Sequence, residues 1–285
     1  MFNIIGNKYI FLTISGILAA AAVFSIVNFG FKQGIDFVGG TLWEVRSNPI
    51  VLQEILPKEA VITPGGNNSF LIRLSELNEA DHQKYLEALK KRDGKFEELS
   101  FESIGPAIGR ELRTKAIYAF VSVLLMISLY IAFAFRKVSF PVKSWKYGVI
   151  TLITLFHDAL IPAGLMAILG WFNNIEVGTN FVVALLVVMG FSVHDTIVVF
   201  DRIRENIKLE KNYSFHFADL VNRSVNETMA RSINTSFTLV LVLIALLLFG
   251  SASLQYFVLV ILVGTVIGTY SSIFIASPLL VLTKN

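Results

Sequence analysis

Apolar residues are concentrated in six long runs along the chain, at about 9–29, 116–135, 147–170, 177–200, 232–249 and 254–282. A helix that crosses a bilayer needs roughly 20 consecutive, mostly apolar residues. The pattern therefore predicts six transmembrane helices. The first run is longer than the apolar core of a secretory signal peptide, and its alanines at 19–22 lie in its middle rather than at a cleavage site. We therefore expect this run to be an uncleaved membrane anchor.

The long segment between the first two runs, 30–113, has the residue pattern of a small α+β domain. Its elements follow one another as a strand at 40–47, a helix at 49–59, two strands around the turn PGGNN (64–68), a helix at 78–94 and a strand at 96–103. The order βαββαβ predicts a ferredoxin-like sandwich. His82 is expected on the solvated face of the second helix, and the polar residues of the segment form no catalytic set.

Composition agrees with a membrane protein and excludes several kinds of site. The chain has 285 residues, of which 54% are hydrophobic, and a mean hydropathy of +0.66, which is too apolar for a soluble protein of this length. It contains no cysteine, which excludes a disulfide framework and a thiolate metal centre. We expect no metal, no cofactor and no nucleic acid among its ligands.

Basic residues are distributed asymmetrically between the connections. The connections 136–146 and 201–231 are rich in Lys and Arg, whereas 171–176 and 250–253 contain neither. Because basic connections remain in the cytoplasm, both termini are predicted to be cytoplasmic. The predicted organisation is a first helix within 1–29, an extracytoplasmic α+β domain at 30–113, and a five-helix membrane domain at 114–285 with cytoplasmic loops 136–146 and 201–231.

Two further patterns predict packing rather than chemistry. The second cytoplasmic loop carries apolar residues at helical spacing, which predicts a short helix lying on the membrane or on a partner; they are Phe217, Leu220, Val221 and Val225. In the sixth run, Gly264, Gly268 and Ser272 are four residues apart. Small residues at this spacing allow two membrane helices to approach closely.

Ionisable residues interrupt three of the apolar runs and form the candidate functional site. Asp158 lies in the third run, His194 and Asp195 lie in the fourth, and Arg231 lies at the start of the fifth. A carboxylate in hydrocarbon costs several kcal/mol unless it is neutralised, paired or hydrated. Arg231 starts its run on the same side of the membrane as Asp195, so we expect its long side chain to reach that carboxylate.

Helical spacing adds a polar stripe to each of these runs. The stripes are Thr151, Thr154 and Asp158 in the third run, Ser192, Asp195 and Thr196 in the fourth, and Arg231, Asn234 or Thr235, and Thr238 in the fifth. Polar stripes in membrane helices are expected to face one another rather than lipid. Thr151 and Thr154 are expected to satisfy Asp158. The residues leave two interpretations open, a proton relay and a structural ion pair.

Enzyme activity is not expected. Ser192, His194 and Asp195 carry the residue types of a hydrolytic triad, but neighbours on one helix diverge by about 100° and cannot form the required chain of hydrogen bonds. The same divergence excludes a metal site built from two His-Asp pairs. Asp158 and Asp195 on adjacent helices suggest an intramembrane aspartic protease, but the sequence before Asp195 lacks the GxGD motif of that class.

Five stretches resemble the signature motifs of the SecF family, whose members are the smaller subunits of the bacterial SecDF protein-export complex. They are GIDFVGG (34–40), ESIGPAIGRELR (102–113), GFSVHDTIVVFDRIREN (190–206), NETMARSINTSFT (226–238) and GTVIGTYSSIFIASPL (264–279). They occur in the family's order and extend from about Gly34 to Pro278. The family's six spans and single large outer domain also agree with the topology predicted above.

The resemblance implies a partner, an energy source and a set of site residues. It implies that the chain pairs with SecD beside the SecYEG channel in the bacterial cytoplasmic (inner) membrane. The pair would use the proton motive force to draw unfolded polypeptide across, as part of the RND superfamily. Asp195, Arg231, Thr235 and Ser236 match the family's proton-pathway positions, and Asp158 is given less weight. The family usually has asparagine where this chain has His194, which adds a second titratable group beside Asp195.

Two alternatives use the same residues. A proton-driven RND-type exporter of lipids or small molecules needs similar carboxylates, but a complete unit is about twice this length and has two outer domains. A purely structural subunit would only pair Asp195 with Arg231. In the favoured interpretation, the outer domain engages unfolded polypeptide or SecD. It changes orientation about glycine-rich junctions at 34–40 and 102–112.

Overall fold

The structure is a computed structural model that describes residues 2–65, 68–136, 141–210, 216–251 and 254–284. It is mostly helical and contains one small antiparallel sheet. The helices are α1 (Lys8–Phe29), α2 (Ile35–Val38), α3 (Pro49–Ile55), α4 (Glu79–Arg92), α5 (Pro106–Ala134), α6 (Ser144–Asn173), α7 (Thr179–Leu209), α8 (Phe217–Phe249), α9 (Gln255–Ser271) and α10 (Ser277–Leu282). A π-helical turn over Ser272–Ala276 joins α9 to α10.

All six predicted membrane helices are present in the described ranges. They are α1, α5, α6, α7, α8 and the continuous helix Gln255–Leu282, and each is long and apolar enough to cross a bilayer. The chain is therefore a multi-pass membrane protein. Its described residues divide into a helical unit (Met1–Lys32, Tyr118–Ile175 and Asn180–Asn285) and an α+β unit (Gln33–Ile117 and Glu176–Thr179).

The α+β unit contains a four-stranded sheet whose strands are β1 (Gly40–Arg46), β2 (Val61–Pro64), β3 (Phe70–Leu74) and β4 (Glu97–Ile104). The strand order is β2-β3-β1-β4, and every neighbouring pair is antiparallel. The turn predicted between the second and third strands includes Gly66 and Asn67, which lie outside the described residues. Trp43 on β1 is fully buried and packs with the apolar residues of α3 and α4, among them Leu52 and Leu89.

The expectation that His82 is solvated is wrong. His82 is only 5% exposed, stacks on the ring of Phe101 at 3.6 Å between centroids, and its Nε2 lies 2.7 Å from Oε1 of Glu98. The reason is its helix face, because His82 shares α4's buried face with Leu86 and Leu89. Its carboxylate partner supplies the polar contact that burial of an imidazole requires.

The glycines of the two junctions are closely packed. Gly39 and Gly40 have positive φ angles of 81° and 122°, which residues with a Cβ rarely adopt. A Cβ on Gly39 would lie 2.7 Å from Cα of Pro106, and a Cβ on Gly109 would lie 2.9 Å from the backbone nitrogen of Gly39. These glycines therefore allow the start of α5 to pack against the segment before β1. Whether they also act as hinges remains a prediction.

In the helical unit, the fourth and fifth membrane helices extend further than the apolar runs. Helix α7 continues through the charged stretch 201–205 to Leu209. The amphipathic segment is helical, but the prediction that it forms a separate surface helix is wrong. It forms the first turns of α8. Its apolar residues are buried against those of α7 and the N-terminal residues; they are Phe217, Leu220, Val221 and Val225. Apolar side chains with such a surface available are buried there rather than left on the membrane surface.

Candidate functional site

Asp195 is buried where helices α7, α8 and α9 meet. It is only 2% exposed, and its Oδ2 lies 3.4 Å from Ser236 Oγ, which also lies 2.8 Å from the carbonyl oxygen of Ser232. Ser236 Oγ also lies 2.5 Å from Thr269 Oγ1, and the Thr269 hydroxyl lies beside the same carboxylate. In the described ranges, no Lys, Arg or His nitrogen lies within 4 Å of Asp195 to form an ion pair. The polar surroundings of this carboxylate are therefore two hydroxyl groups and the neighbouring His194, which interacts with it electrostatically.

Asp158 is fully buried and has a much richer set of partners. Its Oδ2 accepts hydrogen bonds from Ser192 Oγ and Ser271 Oγ, both at 2.5 Å. Its Oδ1 lies 2.9 Å from Nδ1 of His157, so the expectation that adjacent residues of one helix diverge too far to hydrogen-bond is wrong for this pair, because the two side chains bend toward each other. Three groups from α6, α7 and α9 thus surround one carboxylate, and Ser192 lies one helical turn before Asp195 on α7.

The expectation that Thr151 and Thr154 satisfy Asp158 is wrong. Thr151 Oγ1 donates to the carbonyl of Tyr147 at 2.9 Å, and Thr154 Oγ1 donates to the carbonyl of Thr151 at 3.0 Å. Threonine in a helix commonly returns its hydroxyl proton to a carbonyl one turn earlier. The hydroxyl partners of Asp158 come from neighbouring helices instead, and its imidazole partner is the preceding residue of α6.

Close approach of α9 to α7 makes both polar clusters possible. A Cβ on Gly264 would collide with Val188, and a Cβ on Gly268 would lie 2.9 Å from Cβ of Ser192. The prediction of close helix packing at this glycine row is confirmed. The π-helical turn starts directly after Ser271 and shifts the helix face at the point where that hydroxyl meets Asp158.

The other predicted site residues lie on the surface of this chain. His194, Arg231 and Thr235 are exposed, and no hydrogen bond or ion pair joins Arg231 to Asp195 although both residues are described. The reason is helical geometry. Ser232 and Ser236 form the buried face of α8, and the residue before each of them is rotated by about 100°. The expected contact between Arg231 and Asp195 is therefore absent.

One turn before Arg231, a polar network joins α7 to α8. Glu227 Oε2 accepts hydrogen bonds from Arg202 Nε at 2.7 Å and from Asn206 Nδ2 at 2.9 Å. Arg223 also lies within ion-pair distance of Glu227, at 3.5 Å. Glu227 is thus occupied by partners other than Arg231.

Sequence reasoning missed Thr269 and Ser271 as members of the two clusters. Both lie in the motif GTYSS (268–272), which was interpreted only as a packing row. Their hydroxyls were a detectable signal, because polar residues one and three positions after a packing glycine lie near that helix interface. In the described ranges, no group of three or more His, Cys, Asp or Glu residues could hold a metal ion.

Replacing Asp158 with alanine is expected to destabilise the helical unit strongly. The change leaves the hydroxyl of Ser192 without its acceptor, limits Ser271 to the carbonyl of Gly268 at 3.1 Å, and removes the carboxylate beside His157 Nδ1. Each orphaned buried donor costs about 1–3 kcal/mol. Thermal unfolding in detergent, followed by tryptophan fluorescence, should show a clear drop in midpoint. Asp201→Ala is the matched control, because that carboxylate on α7 is 65% exposed; equal stability of both variants would contradict the structure.

These features define a multi-pass membrane protein that buries two carboxylates between its helices. The model of the C-terminal part of SecD/SecF protein-export membrane proteins matches residues 84–285, and the SecD/SecF GG motif matches residues 24–49. The chain therefore belongs to the SecD/SecF family of protein-export membrane proteins, and the resemblance to SecF is confirmed.

Relatives and solved structures agree with this assignment. The chain is 41% identical to protein translocase subunit SecF of Thermobaculum terrenum, over all of this chain and 95% of that protein. It is 38% identical to protein translocase subunit SecDF of Thermus thermophilus, over all of this chain and 39% of that protein. It matches the crystal structure of Thermus thermophilus SecDF with a TM-score of 0.83 at 37% identity, over 99% of this chain and 38% of that one.

Proposed function

We propose that this chain works with SecD beside the SecYEG channel as a non-enzymatic subunit that couples the proton motive force to polypeptide export. Support for SecD as partner comes from the fused SecDF relative, in which a chain similar to this one forms 39% of a longer protein. The site of action is the bacterial inner membrane. Both termini lie in the cytoplasm, which the basic residues of 136–146 and 201–231 favour.

The observation that carries the proton-coupling proposal is the contrast between the two buried carboxylates. Asp158 accepts from two hydroxyls at 2.5 Å and has an imidazole nitrogen at 2.9 Å, so its oxygens are well satisfied. Asp195 has a hydroxyl partner at 3.4 Å, beyond the usual O–H···O range. The cost of burying a carboxylate depends on the groups that hydrogen-bond or pair with it, so a change in the sparse surroundings of Asp195 would change that cost. Asp195 is therefore the group that gains and loses a proton, and Asp158 holds the helices together.

The pathway then extends from Asp195 through Ser236 and Thr269, whose oxygens are 2.5 Å apart. Hydroxyl groups both donate and accept hydrogen bonds, so they can pass a proton along a chain. His194, Arg231 and Thr235 take part from the exposed surface of α7 and α8, where SecD or a movement of the helices brings them into the pathway.

The α+β unit is proposed to be a ferredoxin-like sandwich that engages unfolded polypeptide or SecD on the extracytoplasmic side. The element order βαββαβ and the antiparallel strand order β2-β3-β1-β4 support that topology. The unit has a well-packed core around Trp43. Its proposed role is mechanical: it changes orientation as Asp195 is protonated and deprotonated.

The proposal is tested by purifying the tagged chain from bacterial membranes in mild detergent and identifying the proteins that remain bound. We expect SecD in equal amount and SecYEG in a smaller amount. An unrelated six-span protein with the same tag is the control. Recovery of this chain without SecD, from membranes that contain SecD, would contradict the proposal. Such a result would favour the small-molecule exporter.

A further inference from the structure

Three contacts fasten residues 176–179, which lead into helix α7, to the rest of the α+β unit. The backbone N–H of Gly34 donates to the carbonyl of Val177 at 2.9 Å, and Gln33 forms a parallel bridge with the same residue. Arg73 on β3 forms an ion pair with Glu176, and both side chains are about three-quarters buried. The third contact comes from the aspartate of the GIDFVGG motif.

Asp36 caps the N-terminus of α7. Its Oδ2 accepts hydrogen bonds from the backbone N–H of Thr179 at 2.6 Å and from Thr179 Oγ1 at 2.7 Å. The first turn of α7 has no acidic residue of its own, so Asp36 supplies the negative charge that a helix N-terminus favours. Gly178 is required beside it, because a Cβ there would collide with the Asp36 carboxylate. This cap is built from a segment 143 residues away in sequence.

We propose that Asp36 is a positioning residue that couples the α+β unit to helix α7, the helix that carries Asp195. Asp195 lies sixteen residues after Thr179, about 24 Å along the helix. A continuous helix transmits a shift or rotation of its end over that distance. The inference rests on the proposed function, because it identifies how movement of the α+β unit is coupled to Asp195.

The geometry favours coupling over simple stabilisation of the helix end. An ordinary cap is a residue of the same chain segment, directly before the helix. Here the cap, the ion pair and the backbone bridge all come from distant parts of the α+β unit. Helix α7 therefore starts inside that unit, and its first residue cannot move independently of Asp36 while the cap is intact.

The test uses the full chain reconstituted with SecD and SecYEG, and compares Asp36→Ala, Asp36→Asn and the unchanged protein. Hydrogen exchange of the amides at 179–182 reports the cap. Because the chain has no cysteine, Lys91→Cys and Phe172→Cys can carry a pair of spin labels, and the gradient-dependent change in their distance reports movement of the α+β unit. Translocation with and without a gradient reports export.

For Asp36→Ala we expect at least tenfold faster exchange at 179–182 and at least a twofold smaller gradient-dependent change in the label distance. We also expect at least fivefold weaker stimulation of export by the gradient, with gradient-independent translocation unchanged. Asp36→Asn keeps an acceptor oxygen without the charge. Its exchange rate, label response and gradient stimulation should lie between those of Asp36→Ala and the unchanged protein. Faster exchange with an unchanged label response and unchanged export would mean that the cap only stabilises the helix, and would overturn the proposal. Unchanged exchange would overturn it as well.

The ion pair offers a second route if Asp36→Ala fails to assemble. Arg73→Glu and Glu176→Arg should each weaken gradient stimulation, and the two together should restore it. The matched control is the exchange of Arg46 with Glu97, an exposed pair within the same unit, which should have no effect. Failure of the double exchange to restore what either single change removes would overturn the coupling. Failure of the proposed function is separately visible, since Asp195→Asn would then keep its full response to the gradient.

Discussion

Replacing Asp195 with asparagine is expected to abolish the stimulation of protein translocation by a proton gradient. Asparagine keeps the size of the side chain and can still accept a hydrogen bond from Ser236, but it cannot gain or lose a proton. Translocation without a gradient, and assembly with SecD, should be unchanged. The measurement is preprotein translocation into inverted vesicles reconstituted with SecD and SecYEG, with and without an imposed gradient.

The energy available is sufficient for such a switch. One elementary charge that crosses the membrane gains about 2.3 kcal/mol for each 100 mV. A two-state element responds to a free energy of this size, because 1.4 kcal/mol already changes an equilibrium about tenfold. A proton on Asp195 would change the balance between helix arrangements in which this carboxylate is dry and arrangements in which it meets water or a cation.

Asp158→Asn is the matched control for this experiment. It makes the same chemical change, carboxylate to amide, at the second buried aspartate. That aspartate has three partners. We expect it to lower the stability of the helical unit and to weaken gradient stimulation less than Asp195→Asn does. Equal or greater loss of stimulation for Asp158→Asn would show that the two roles are assigned the wrong way round. A full response of Asp195→Asn would refute proton transfer at Asp195.

The sequence predicted the membrane helices well, and also the order of strands and helices along residues 30–113, because both depend on local patterns. Apolar runs of membrane length became helices in every case, and the alternation in 40–47 and 96–103 became β1 and β4. The ends of helices were less accurate. The charged stretch 201–205 ends the apolar run but not the helix, because α7 continues to Leu209 and Arg and Glu are good helix formers.

The contacts of the site could not be predicted, because they depend on helix rotation and on neighbours distant in sequence. The polar stripe of the fifth run was placed one residue too early. Ser232 and Ser236 face inward, whereas Arg231 faces outward, about 100° away around the helix. The helical repeat of the sequence shows which residues share a face, but it does not show which face is buried. The prediction that His82 is solvated was wrong for a related reason. A histidine on a polar helix is usually solvated, but Glu98 on β4 gives this one a buried partner.

Arg231 lies on the exposed face of α8, and no carboxylate among the residues that the structure describes forms an ion pair with it. Its neighbour one turn earlier, Glu227, is already occupied by Arg202 and Asn206. Arg231 lies where the fifth apolar run begins, so its long side chain can reach the membrane–water interface or a carboxylate near it. Under the proposed function, we expect its partner to be a carboxylate of SecD, or Asp195 in a rearranged state.

Replacing Arg231 with methionine is accordingly expected to separate function from folding. The isolated chain should keep its thermal stability within about 1 kcal/mol, because Arg231 makes no hydrogen bond or ion pair with the described part of the chain and surface changes of this kind are usually small. Gradient-stimulated translocation should nevertheless fall to the level measured without a gradient. Arg202→Met is the contrasting control, since it breaks contacts to Glu227 at 2.7 Å and Glu205 at 2.6 Å and should affect stability more than the gradient response. If Arg231→Met keeps its full stimulation, the arginine is only a surface residue of α8, and the charge that meets Asp195 during the cycle must be sought elsewhere.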